Sequence, residues 1–393
     1  MTMSVTWLAR ILAPNMGIAA RGVSQLMILA LLSRSEADVR NILVTGFGLL
    51  GAFAMMSDSG AALYMLGIDR SALTRRLWER SLALQGITVS VGQTAAVGFA
   101  LAVSRGADTI AVLVLAALAL TTALDSMTRT AKTPLLVLGR DGAYGVHDLA
   151  LGAAKVLLLA VGLLQGSLFV LLALPLPSLV GLVVITGLVA RRLPGGRPAP
   201  VGLTREILMI GLAGMLSAGY SQMPVLVGSV VLPLDSAALL AASTRILQAV
   251  EFIPGTLWLQ VMPRLRTWRH PWQQVYGAFL VLGMVLALTA YIFRPLLEAF
   301  AHVELDLVPV FGLLLVALVP KSGNYFLEAR LIVLWSPHVR LLVCAVADVV
   351  ALGLTVVGST SAGLLGIAGA AVAIEATFAG LALATMHRIP PRG

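Results

Sequence analysis

Twelve times along this chain an apolar run of 18–26 residues is followed by a short break rich in charges, prolines or glycines. The runs are 11–33, 41–66, 81–104, 109–127, 144–166, 168–190, 207–232, 236–260, 274–293, 307–327, 341–358 and 362–386. Helices of that length match the hydrocarbon core of a bilayer, about 30 Å thick. There every backbone N–H and C=O must be bonded within the protein, which restricts the chain to a few architectures. Hydrophobic residues make up 59% of the sequence and charged ones 11%, against roughly a quarter charged in a soluble domain. The fold class expected is therefore all-α and polytopic, with about twelve transmembrane helices.

The distribution of basic residues orients the runs. With an even number of spans both termini share one side. Nineteen arginines and lysines then fall on the loops and termini of that side and four on the opposite loops. Cytoplasmic loops carry such an excess, so both termini are expected in the cytoplasm of a bacterial inner membrane. Orientation and anionic headgroups thus account for the net charge of +9 without a nucleic-acid partner. The apolar stretch after Arg10 runs on past Arg21 with no small-residue cleavage site, as a first span rather than a removed signal does.

The segment Arg191–Gly202, with Gly195–Gly196 and two following prolines, marks a linker. It divides the chain into 1–190, a connection at 191–205, and 206–393, with six spans on each side. Gly22-Val-Ser-Gln25 in the first span is echoed by Gly219-Tyr-Ser-Gln222 in the seventh. The pattern suggests a parallel repeat, two six-helix lobes related by a pseudo-two-fold axis along the membrane normal.

Ten acidic or basic residues fall within the runs: Arg21, Asp58, Asp125, Asp148, Lys155, Arg245, Glu251, Lys321, Asp348 and Glu375. A charge at the bilayer centre costs about 3 kcal/mol on insertion scales, so such residues face a cavity or one another. Asp125, Asp148 and Lys321 lie near run ends, within reach of headgroups. Asp148 and Lys155 share a helix face and are placed to pair. Arg21 and Arg245 lie deeper, in different halves. Their planar forks suit phosphate oxygens; alternatively they pair with Asp58 or Glu251. A carboxylate among Glu251, Asp348 and Glu375 desolvated in a cavity would take up a proton or sodium ion. Pro254 has no N–H to give the Val250 carbonyl and is expected to break the eighth helix next to Glu251.

Other chemistry finds little footing. The five histidines are scattered, Cys344 is alone in an apolar run, and no metal-ligand spacing occurs. Neither a catalytic site nor a cofactor or metal is expected. The segment 294–306 gathers Glu298, His302, Glu304 and Asp306, but a dozen residues are too few to hold a sugar for a ligase or transferase.

Four short segments carry a family resemblance: Asp235-Ser-Ala-Ala238, Ala241-Ala-Ser-Thr-Arg-Ile246, Phe252-Ile-Pro254 and Val261-Met-Pro-Arg-Leu265. Together they resemble the eighth-span signature of Wzx-type polysaccharide flippases, in the multidrug/oligosaccharidyl-lipid/polysaccharide (MOP) exporter superfamily. Ser57-Asp-Ser-Gly60 is similar to the acid-and-glycine turn of their second span. The resemblance implies a MATE-like fold and a non-enzymatic transporter that moves a lipid-linked oligosaccharide or polysaccharide unit between leaflets by alternating access. Arg21, Arg245, Lys155 and Lys321 would then bind the polyprenyl-pyrophosphate headgroup. Asp58, Glu251, Asp348 and Glu375 would balance charge or couple transport to H+, Na+ or the membrane potential. A glycan polymerase is an implied partner. The alternatives are an ion-coupled drug or metabolite exporter of the same superfamily and a membrane-embedded glycan ligase or transferase.

Overall fold

The computed structural model describes residues 5–390 except 69, 105–107, 196–201, 263–264, 266–270 and 302–307; the side chains of 5–16, 18, 141, 259–261, 300–301 and 308 are likewise outside the description. Every regular element among the described residues is a helix. In the first half α1 is Val5–Leu32, α2 Ala37–Met56, α3 Ala61–Gly67 and α4 Arg75–Ser104. They are followed by α5 Thr109–Val137, α6 Asp141–Gln165, the single turn α7 Val170–Ala173 and α8 Pro175–Ala190. The second half has α9 Leu203–Val231, α10 Leu234–Val261, α11 Trp272–Ile292, α12 Arg294–Ala301, α13 Val308–Leu334 and α14 Pro337–Arg388.

Among the described residues ten helices are long and apolar enough to cross a membrane. One of them, α14, has 52 residues, about 78 Å if straight and more than twice the hydrocarbon thickness. It folds back at Ala362 and at Gly363, whose φ of 56° and ψ of −129° are open only to a residue without Cβ. Its two arms, 337–361 and 364–388, are the eleventh and twelfth spans. With α1 the chain makes twelve passes in two lobes. The 294–306 segment expected as a loop begins with α12, closed by an Arg294–Glu298 pair at 2.6 Å; His302, Glu304 and Asp306 lie outside the described residues, as do Pro263 and Arg264 of the eighth-span signature.

The same neighbour relations recur in each half, as the repeat requires. In the first, α1 packs on α6, α4 on α5, α5 on α8 and α2 on α5. In the second, α9 packs on α14, α11 on α13, α13 on α14 and α10 on α13. The lobes meet where α10 lies against α1 and α2, and where α9 lies against α2 and α3. These seams are lined by small residues, which let backbones approach closely in lipid. A Cβ added to Gly22 of α1 would lie 3.7 Å from Ala249 Cβ of α10, and one on Gly48 of α2 would lie 2.7 Å from Ala241 Cβ.

One apolar core crosses both halves, joining Leu29, Leu43 and Leu50 to Leu240, Phe311 and Ile367. It closes the end of the molecule that carries the 33–36 and 232–233 turns. A second cluster, Leu73, Leu77, Trp78, Leu135, Val189 and Leu203, caps the other end of the first lobe. Trp78 is anchored there by its indole N–H, which donates to the Ala131 carbonyl at 3.1 Å. Trp78→Phe keeps most of the packing and loses that bond, so thermal unfolding should register a deficit of about 1 kcal/mol. Between the apolar ends lies a polar layer.

Candidate functional site

In the first lobe the polar layer is built around Asp148 of α6. Gly17 of α1 faces it so closely that a Cβ there would stand 2.6 Å from Asp148 Cβ, and this approach brings Arg21 alongside. Arg21 Nη2 donates to Asp148 Oδ1 at 2.5 Å. Lys132 of α5 donates its Nζ to the same oxygen while lying 3.9 Å from the centre of the Tyr144 ring. Lys132 is fully buried, whereas the Arg21 side chain keeps 36% of its exposure. One turn from Lys132, Arg129 pairs with Asp58 in the break between α2 and α3 and is 40% exposed. The other Asp58 oxygen accepts the Gly60 N–H at 2.9 Å. Higher in the same lobe Lys155 Nζ bridges both Asp125 oxygens at 2.5 and 2.6 Å, with Ser178 Oγ donating to one of them at 2.9 Å.

Arg245 stands alone at the seam. It projects from α10 of the second lobe and its guanidinium donates to the Phe47 carbonyl of α2 in the first. A second donation goes to Gln248 Oε1 at 3.0 Å, and Gln248 in turn donates to Gln222 Oε1 of α9 at 3.2 Å. The cation lies 4.1 Å from the centre of the Phe47 ring. Its Nε has no partner, and none of its contacts is a carboxylate. The guanidinium fills the space that a side chain on Gly51 would need.

The second lobe carries the carboxylates. Glu251 of α10 pairs with Lys321 of α13 at 2.9 Å. Asn324, one turn along α13, donates to the Glu375 backbone carbonyl and to its Oε2, at 2.9 and 2.8 Å. Asp348, on the first arm of α14, faces Gly219 of α9; both its oxygens are buried without a hydrogen-bond partner.

Several expectations require correction. Asp148 and Lys155 do not pair along α6, because Arg21 and Lys132 reach Asp148 from one side while Asp125 reaches Lys155 from another. Asp125, Asp148 and Lys321 each have a counter-ion from a neighbouring helix. Arg21 and Arg245 do not pair with Asp58 or Glu251, which Arg129 and Lys321 occupy. Arg129 and Lys132, placed in a cytoplasmic loop by the sequence, lie inside α5, which continues to Val137. Arg340, assigned to another such loop, is buried against Glu328. Pro254 does not end α10, which runs on to Val261; the proline removes one hydrogen bond from a continuous helix.

The sequence reading missed Arg129, Lys132, Tyr144, Asn324 and the Gly51 notch. In the sequence the arginine and lysine read as loop charges after an apolar run, whereas α5 carries both of them. Tyr144, Asn324 and Gly51 carry no signal of their own.

No protein-family model and no curated protein matches the sequence. Solved structures do match it in shape. The ligand-bound MATE multidrug transporter DinF-BH superposes with a TM-score of 0.69 over 98% of this chain and 96% of its own, at 14% identity. An inward-facing multidrug resistance MATE family transporter of the MOP superfamily gives 0.64 over 97% of both chains, also at 14%. A mutant of the Vibrio cholerae MATE transporter VcmN gives 0.62 at 14% identity, over 97% of this chain and 98% of that one. The fold is thus the MATE fold, twelve helices in two lobes.

Proposed function

We propose that the protein is a flippase that carries a lipid-linked oligosaccharide or polysaccharide unit from the inner to the outer leaflet of a bacterial cytoplasmic membrane. Both termini would face the cytoplasm, with the lobes 1–190 and 206–393 rocking in alternating access around a site between them. The observation that carries this reading is Arg245, a buried cation at the lobe interface with no carboxylate partner. A buried charge in that state is stabilised by an anion, and the planar guanidinium fits phosphate oxygens in two-pronged fashion. Arg21 would supply a second, partly exposed prong from the first lobe, and Lys155 and Lys321 would add to the cationic wall. The polyprenyl tail stays in lipid while the pyrophosphate and sugars cross between the lobes.

The carboxylates divide the work with the cations. In the first lobe Arg21, Arg129, Lys132 and Lys155 face Asp58, Asp125 and Asp148, leaving one positive charge over. In the second, Asp348 and Glu375 have no cation within salt-bridge distance. Glu251, Asp348 and Glu375 are therefore proposed for coupling to protons, sodium or membrane potential, and Asp58 for charge balance. No chemical step is assigned to the protein; a polymerase would take the product.

Leaflet-specific detection of the lipid-linked sugar in a deletion strain tests the reading. Complementation by the native gene should restore outer-leaflet product, Arg245→Ala should abolish it at normal protein level, and Arg245→Lys should retain part. Full outer-leaflet product in the alanine variant removes Arg245 from the site. A second reading, export of a cationic drug or metabolite, is favoured by Asp348, whose unpaired carboxylate suits a cation. Efflux of an organic cation that depends on Asp348 and not on Arg245 would select it.

A further inference from the structure

Resting on the flippase reading, we propose that Arg245 in the Gly51 notch is a latch between the lobes, which a pyrophosphate headgroup releases by competing for the guanidinium. Gly51 is the positioning residue. The Phe47 carbonyl belongs to the α2 helix ladder and is reached from outside only because position 51, one turn on, has no side chain. Arg245 thus spans the seam from α10, stacks on the Phe47 ring and donates to the α2 backbone.

The latch is matched to an anion because what holds Arg245 is neutral: a carbonyl, an amide oxygen and an aromatic face. A phosphate offers the guanidinium full opposite charge and a matched pair of oxygens for two parallel hydrogen bonds, which a single carbonyl or amide oxygen does not. A pyrophosphate arriving between the lobes would therefore outcompete the Phe47 carbonyl. Arg245 would swing out of the notch, and its hydrogen bond to the α2 backbone would be lost as the ligand is gained. Arg21, Arg129, Lys132, Lys155 and Lys321 differ, since each already has a carboxylate. A substrate gains less from them and moves no lobe by taking them.

The test uses a disulfide reporter on the separate α1–α10 seam. Gly22→Cys with Ala249→Cys, in a Cys344→Ala background, places two Cβ atoms about 3.7 Å apart, within the range for a disulfide. Oxidative cross-linking in membrane vesicles reads the closed fraction. Gly51→Ala should lower the closed-to-open ratio about tenfold by expelling the guanidinium. In an Arg245→Ala background the same glycine change should add nothing, because the methyl then enters vacated space. Undecaprenyl pyrophosphate should lower the yield with Arg245 present and leave it unchanged in Arg245→Ala, while undecaprenol should have no effect. Inorganic pyrophosphate distinguishes a free anion from a lipid headgroup: a response to the lipid alone assigns the release to the membrane-borne form. An unchanged yield in Gly51→Ala overturns the latch and leaves the substrate reading standing. A lowered yield in Gly51→Ala with no response to either pyrophosphate overturns the anion release and counts against the substrate reading as well.

Discussion

Asp148→Ala is expected to destabilise the protein by about 3–5 kcal/mol, the range seen when one member of a buried ion pair is removed. Asp148 is the single anion between two cations, Arg21 and Lys132, and its deletion leaves Lys132 fully buried without a counter-ion. The Tyr144 ring face offers only partial replacement. Arg21 adds little to the estimate, since its side chain is partly exposed and can turn to water. Lys132→Met should be much milder. It removes the buried charge itself, fills most of the same volume, and leaves Asp148 paired with Arg21. The thermal midpoint of the purified protein in mild detergent checks the order. If the methionine variant falls as far as the alanine variant, the carboxylate is not the centre of this cluster.

The contrast between these two variants also explains how far the sequence could be read. Helices are legible because the bilayer imposes length and hydrophobicity on each; the fold-back at Ala362 and Gly363 lies just inside the twelfth run, next to the 359–361 break. The pairing of buried charges was not legible. Arg21 and Asp148 are 127 positions apart and Arg129 and Asp58 are 71 apart, so their meeting depends on how helices pack. A local rule, that charges after an apolar run lie in a loop, ended the fourth span at 127 and placed Lys132 in water. The structure carries the helix to Val137 because Asp58 and Asp148 arrive from other elements to receive Arg129 and Lys132. Gly51 was hidden for another reason. It is one of 38 glycines, and only the guanidinium pressed against it separates it from those serving helix packing.

Gly60 and Gly211 give the second large effect, at the seam between α3 and α9. Gly60 has a φ of 79°, a conformation that costs other residues about 1–3 kcal/mol. A Cβ on it would strike the backbone of Gly211, and a Cβ on Gly211 would strike the Ser59 carbonyl. Both obstacles are backbone, which cannot swing aside as a side chain can. Ser59 is held further by Gln85, whose Oε1 accepts from both its N–H and its hydroxyl, at 3.0 and 2.6 Å. Gly60→Val should therefore combine strain with overpacking and lose roughly 2–6 kcal/mol. Gly211→Val, in a regular helix, carries the overpacking alone, about 1–3 kcal/mol, and Gly211→Ala less. Because Gly211 belongs to one lobe and Ser59 to the other, that penalty falls on the closed seam rather than on either lobe. Under the proposed flippase function, Gly211→Val should then lose outer-leaflet delivery of the lipid-linked sugar while each lobe keeps its helical content by circular dichroism. Full delivery by Gly211→Val would mean that this seam need not close during transport.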